Sequence, residues 1–159
     1  MYMRWLIIDG YSLVFRDESL ARIRNRNMPL ARQLLVRKIQ EVAGALAERT
    51  TMVFDGQQGG LAEGFEASGV EVLFSPAHHT ADTVIERLVF ADTHPETILV
   101  VTSDRPEREN TSAAGAQTMS CGDFLSECER LFLQIKRRAS ASPPDRKFSS
   151  SLGERFPPG

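Results

Sequence analysis

The sequence predicts a three-layer α/β domain, a central parallel sheet with helices on both faces. Three observations carry this. Short apolar runs alternate with segments of helical period, the pattern of a parallel sheet with crossover helices. The runs are too short for helices and too uniformly apolar for half-exposed strands, so they read as strands buried on both faces. Three of them also stop at an aspartate: Asp9, Asp55 and Asp104. In an open sheet of this kind ligands bind outside the carboxyl ends of the strands, which places Asp9 at the mouth of a candidate site.

The first strand is the run WLII before Asp9 and Gly10. Residues 13–28 carry Arg16, Arg22, Arg24 and Arg26 without a clean period and read as a loop or poorly formed helix. Pro29 opens a helix expected to reach Arg49, with Leu35, Ile39, Val42 and Leu46 on one stripe and Arg32, Arg37 and Lys38 off it. Residues 50–54 form a second strand and end, like the first, in an acid and a glycine, Asp55 and Gly56. A turn at 57–60, a short helix at 61–67 and a strand at 70–74 follow, then a loop holding His78 and His79. The spacing of Val84, Ile85 and Leu88 gives a helix from Ala81 to the breaker at 92–95. Residues 97–101 are the most apolar strand, running into Thr102, Ser103 and Asp104. Pro106 opens a further helix, 116–119 is a short last strand, and Phe124, Cys128, Leu131 and Ile135 mark a closing helix.

With 159 residues, 42% apolar and 25% charged, the chain fits one domain and a tail. The expected domain is 1–138. Residues 139–159, rich in serine and proline, are expected to be a disordered tail. No stretch approaches a membrane span and the start lacks a secretory pattern, so the expected location is cytoplasmic. Cys121 and Cys128 are spaced for neither a zinc knuckle nor a short disulfide and read as reduced core residues. Net charge is −2, but residues 1–50 carry +4, 51–129 carry −11 and 130–159 carry +5. Basic ends around an acidic middle fit a polyanion gripped beside an acidic metal site, and equally fit solvated helix faces.

Strand-end acids in a parallel sheet lie on one edge, so Asp9, Asp55 and Asp104 converge. Asp82 opens a helix and Glu86 follows one turn later on the same face. Each acid has a structural alternative: Asp104 as a helix cap, Asp82 as complement to a helix dipole, Glu86 as a solvated surface group. Together, without a lysine at any strand end, they need a partner, and a hard divalent cation supplies one. The sequence has neither a phosphate loop nor a dinucleotide-binding glycine pattern. Adjacent histidines cannot readily face one ion. Mg²⁺ or Mn²⁺ held by carboxylates suits phosphodiester cleavage, activating water and stabilising developing charge.

The motifs DGYS at 9–12, VFDG at 53–56, TADTVIERL at 80–88 and VVTSDR at 100–105, with the later GAQTMSCGDF, resemble the YacP-like NYN-domain ribonucleases, relatives of PIN-domain nucleases. The resemblance covers residues 4–133. It implies a PIN-like sheet, a Mg²⁺- or Mn²⁺-dependent endoribonuclease acting on RNA and, for part of the family, action on messenger RNA at the ribosome. Asp9, Asp82 and Asp104 match its acidic positions and would hold the metal. Ser12 stands where the family's first motif has Asn after Asp-Gly-Tyr, and would orient water or a phosphate oxygen. Arg16 and Arg105 are the expected phosphate contacts. The departure at Ser12 favours a rival of another class: a catalytically idle RNA- or ribosome-binding module using the basic stretch 16–38.

Overall fold

The computed structural model describes residues 2–56 and 69–141. Five strands form one parallel sheet: β1 (Met3–Asp9), β2 (Ala47–Phe54), β3 (Glu71–Phe74), β4 (Ile98–Val101) and β5 (Gln117–Met119), in the order β3-β2-β1-β4-β5. The chain winds outward from β1 on one side through β2 and β3, then returns to β1's other side with β4 and β5. The strand order therefore reverses between β1 and β4, and a crevice opens at their carboxyl ends.

Alternation along the strands divides the core into two faces. Trp5 and Ile7 of β1, Val53, Ile98 and Val100 pack with Ala81, Ile85 and Val89 of α4 (Ala81–Ala91). Leu6 and Ile8 point to the opposite face and are fully buried as well. The stripe expected for the long helix is the buried side of α3 (Met28–Leu46), where Leu35, Ile39, Val42 and Leu46 are all inside. Among the described residues the remaining α-helices are α1 (Gly10–Arg16), α2 (Ala21–Arg26), α5 (Arg105–Ala113) and α6 (Cys121–Ala141). The three-layer α/β architecture is the one the alternating pattern requires.

Two segments differ from the sequence reading. Residues 13–28 are neither loop nor one weak helix: α1, a 3-10 turn (Glu18–Leu20) and α2 follow in succession. Side chains punctuate them. Asp9 caps α1, Asp17 accepts from Ser19 N at 3.0 Å to start the 3-10 turn, and Asn27 accepts from Leu30 N at 3.1 Å to start α3. The long helix also ends at Leu46 rather than Arg49, and β2 begins at once. Pairing wins over helical propensity there. Arg49 lies opposite Trp5 in the sheet, stacks on its ring at 3.9 Å from the centroid, and pairs with Glu71 on β3 at 2.9 Å.

The chain divides into two units, Met1–Cys128 and Glu129–Gly159. The described part of the second, 129–141, belongs to α6, which thus continues past the expected boundary at Arg138 to Ala141. The short helix expected at 61–67 and the tail from residue 142 lie outside the described residues. Cys121 and Cys128 are buried free thiols.

Candidate active site

At the point where the strand order reverses, Asp9 ends β1 and immediately starts α1. Gly10 makes that junction possible, because a Cβ at this position would run into the Phe54 ring. Asp9 is buried and doubly engaged: Oδ1 caps the Ser12 N–H at 3.4 Å, and Oδ2 accepts from the Ser12 hydroxyl at 2.8 Å. Ser12 thus fixes the rotamer of the strand-end acid.

Across the crevice, Val101 pairs with Ile8, which sets Thr102 beside Asp9. The Thr102 hydroxyl lies 3.0 Å from Asp9 Oδ2 and 3.2 Å from Glu107 Oε1, so its single proton serves one of the two acids. It also accepts from the Asp104 N–H at 3.1 Å. That last bond decides what Glu107 does. Asp104 caps α5 by accepting from Glu107 N at 3.1 Å, and a glutamate three residues after such a cap ordinarily reaches back to the cap's own N–H. Here Thr102 occupies that N–H, and the Glu107 carboxyl turns into the interior, 2% exposed.

Asp82 enters from α4. Thr80 caps this helix through Thr83 N at 3.2 Å, which leaves Asp82, in the first turn, free to face the crevice. Asp9, Asp82 and Glu107 each offer an oxygen within 4.8 Å of the other two. Burial foremost, then the neighbouring Asp82 and Asp9, pushes the Glu107 carboxyl up to about 10. As a carboxylate its buried Oε2 would have no partner; as an acid it donates to Asp82. That bond from Glu107 lowers Asp82, but burial, Asp104 and Asp9 together outweigh it and hold Asp82 above the ordinary carboxylate range. Asp9 is raised by burial against the opposing hydroxyl bonds.

Three converging carboxyl groups, one of them with an oxygen left without a partner when ionised, fit a hard divalent cation, whose charge would replace the proton on Glu107. An all-oxygen donor set does not suit a soft metal. Cys121 does not join the converging ligand atoms, and burial pushes its thiol up to about 11.

Asp9 and Asp82 open into a cleft of about 550 Å³ lined also by Ser12, Phe15, Arg16 and Asp55 among others, while Glu107 lies buried behind them. Arg16 brings positive charge to it, its guanidinium lying against Gly122 at the start of α6. The structure therefore gathers Asp9, Ser12, Asp82 and Arg16, with Asp55 on the cleft wall. Asp104 sits beside the trio, with one oxygen engaged in capping α5 and its carboxyl close enough to raise Asp82. Arg105 lines a separate groove of about 450 Å³ with Arg108 and Glu109. Glu86 accepts from Asn110 Nδ2 at 3.0 Å, and the cleft lining includes neither histidine of the 75–80 loop. Glu107 is the residue that sequence reasoning missed. Its one trace was the spacing Asp104-Arg-Pro-Glu107, which reads as an ordinary capping box.

Three of the seven basic residues in the stretch 16–38 are structural. Arg24 Nη1 donates to the Val14 and Asp17 carbonyls at 3.2 Å each, Lys38 pairs with buried Asp17 at 2.8 Å, and Arg32, 3% exposed, donates to the Tyr11 hydroxyl at 2.8 Å.

The family profile of the YacP-like NYN domain matches residues 6–155. The chain is 32% identical over 138 residues to YacP of Bacillus subtilis (strain 168), covering 84% of this chain and 79% of that protein. A crystal structure of Rae1 (YacP) from Bacillus subtilis aligns with a TM-score of 0.76 at 30% identity, over 87% of this chain and 80% of that one. A point mutant of the same Bacillus subtilis protein aligns with a TM-score of 0.71 at 29% identity, over 95% and 87%.

Proposed function

Because the chain belongs to the YacP-like NYN-domain family, we propose that it is a metal-dependent endoribonuclease cleaving RNA phosphodiester bonds in the cleft at the carboxyl ends of β1 and β4. Membership supports a nuclease-like, RNA-related function; the cation, the residue roles and the substrate are our reading. The observation that carries it is the convergence of Asp9, Asp82 and Glu107 within 4.8 Å, with Arg16 lining the adjoining cleft.

Asp9, Asp82 and Glu107 would hold Mg²⁺ or Mn²⁺, with Asp104 supporting Asp82 from the side. The bound cation would supply Lewis acidity toward a phosphate oxygen and lower the pKa of water. Ser12 and Thr102 keep Asp9 in one rotamer through their hydroxyls. Arg16 offsets the charge of an incoming phosphate, which the acids alone would repel. Glu107 would hold the cation as a carboxylate, so that loading the site would release its proton. Messenger RNA at the ribosome is the substrate setting that the family resemblance implies.

What supports an enzyme over an idle binding module is twofold. Ser12 bonds the strand-end acid directly, so the hydroxyl keeps a role in the site. Arg24, Arg32 and Lys38, three of the seven basic residues in the stretch 16–38, are engaged within the fold, which reduces the charge that stretch offers a binding module. No helix among the described residues is long and apolar enough to cross a membrane.

The test is cleavage of single-stranded and structured RNA in Mn²⁺, Mg²⁺ and EDTA, with Asp9→Asn and Glu107→Gln alongside. Cleavage that needs the cation and is lost in both variants is expected. RNA left intact by wild type in either metal would remove the enzymatic reading.

A further inference from the structure

We propose that Phe15 is a base-stacking platform: it takes a nucleobase of the RNA strand whose phosphate the acidic cleft addresses. The proposal rests on the reading of the site as an RNA-cleaving one and adds to it a subsite for the base.

Phe15 lies six residues beyond Asp9 on α1, about 9 Å along the helix axis, and lines the same cleft. It is 55% exposed. The lining sets acids and hydroxyls, Asp9, Ser12, Asp55, Thr80 and Asp82, and the guanidinium of Arg16 beside the rings of Tyr11 and Phe15. A flat apolar face in such a cleft has no use for a phosphate or a cation, but it matches the π-face of a base.

A single exposed phenylalanine is ordinary on a protein surface. Phe15 differs in being braced. The Arg24 guanidinium lies 5.6 Å from its ring centroid and is itself pinned to the Val14 and Asp17 carbonyls. Tyr11 stands against it at 6.5 Å between centroids and is fixed in turn by Arg32 and by an edge contact to Phe54 at 5.0 Å. Arg24 lies over the ring, which is held yet keeps 55% of its surface exposed. Its ordering cost is met before a ligand arrives, which is what a pre-organised contact requires. Arg16, the next residue, lines the same cleft, so consecutive side chains serve the two halves of one nucleotide: Phe15 the base, Arg16 the phosphate.

The experiment compares wild type, Phe15→Leu and Phe15→Tyr for binding to a single-stranded RNA oligomer and to an abasic ribose-phosphate oligomer of equal length, in Ca²⁺, by fluorescence anisotropy. Stacking of one base corresponds to an affinity gain of about 5- to 150-fold. Wild type and Phe15→Tyr should prefer the RNA oligomer over the abasic one by a factor in that range. Phe15→Leu should lose most of the preference while keeping wild-type affinity for the abasic oligomer. Equal loss on both oligomers, or no loss on either, overturns the platform. Wild type that binds both oligomers equally overturns the platform and leaves the RNA reading standing; wild type that binds neither overturns both.

Discussion

Glu107 lies against Asp82 across the start of two helices, and the pair holds a proton: burial and the neighbouring acids push Glu107 up to about 10, so at neutral pH it is the donor and Asp82 the acceptor. Stability without metal should follow from this. A glutamate raised above its ordinary value binds more protons folded than unfolded, so its contribution is complete below about 4.5 and is lost as pH rises toward 10. Thermal melts in EDTA should therefore show Tm falling with pH across this window, and Glu107→Gln, which cannot ionise, should flatten the fall. A variant with the wild-type slope would place the titration elsewhere.

The same proton predicts a signature of cation binding. Mn²⁺ must displace it, so calorimetry in buffers of different ionisation enthalpy should reveal proton release on binding at pH 7. Glu107→Gln should bind Mn²⁺ more weakly and release fewer protons. Unchanged affinity and release would take Glu107 out of the ligand set.

Asp82→Asn should abolish cleavage and leave the metal-free fold at least as stable as wild type. Asp82 is raised by its neighbours, although it stands in the first turn of α4 where a helix dipole would favour its charge. Removing the charge relieves repulsion from Asp104 and Asp9, and an asparagine oxygen can still accept from Glu107. A purely dipolar role would instead predict a loss of about 0.3–1 kcal/mol with activity intact. Melts in EDTA paired with cleavage assays in Mn²⁺ separate the two.

Arg16 rests against Gly122, where a Cβ would approach its guanidinium to 2.8 Å. Arg16→Ala should weaken RNA binding and reduce the salt slope by about 0.7 for a single strand. Gly122→Ala, which displaces the guanidinium without removing it, should weaken binding less, with an unchanged melting curve. Affinities measured over a salt series check both.

Tyr11→Phe should destabilise the protein by about 1–3 kcal/mol, because it leaves a buried Arg32 donor without its acceptor. Urea denaturation measures this. A neutral effect would mean that Arg32 finds another acceptor when Tyr11 is shortened.

By itself the sequence determined the strands, the helix stripes and the edge on which chemistry gathers. Those features repeat with the periods of local backbone geometry, so WLII before Asp9, or Leu35, Ile39, Val42 and Leu46, can be read without knowing any partner. For the same reason Asp9 could be placed at a strand end and Asp82 at a helix start, whereas Arg16 ends α1, in a stretch that reads as a loop or poorly formed helix. Contacts across the chain decided the rest. Arg32 reads as a surface residue beside the α3 stripe, yet it is buried because Tyr11, 21 residues away, accepts from it. Arg105 follows a strand-end acid but lines the groove of Arg108 rather than the acidic cleft. Glu107 turns inward only because Thr102, brought beside Asp9 by the pairing of β4 with β1, takes the N–H that a capping glutamate would otherwise use. A carboxylate's place along the chain is set locally; what it does is set by whichever distant groups desolvate it and supply or withhold its hydrogen bonds.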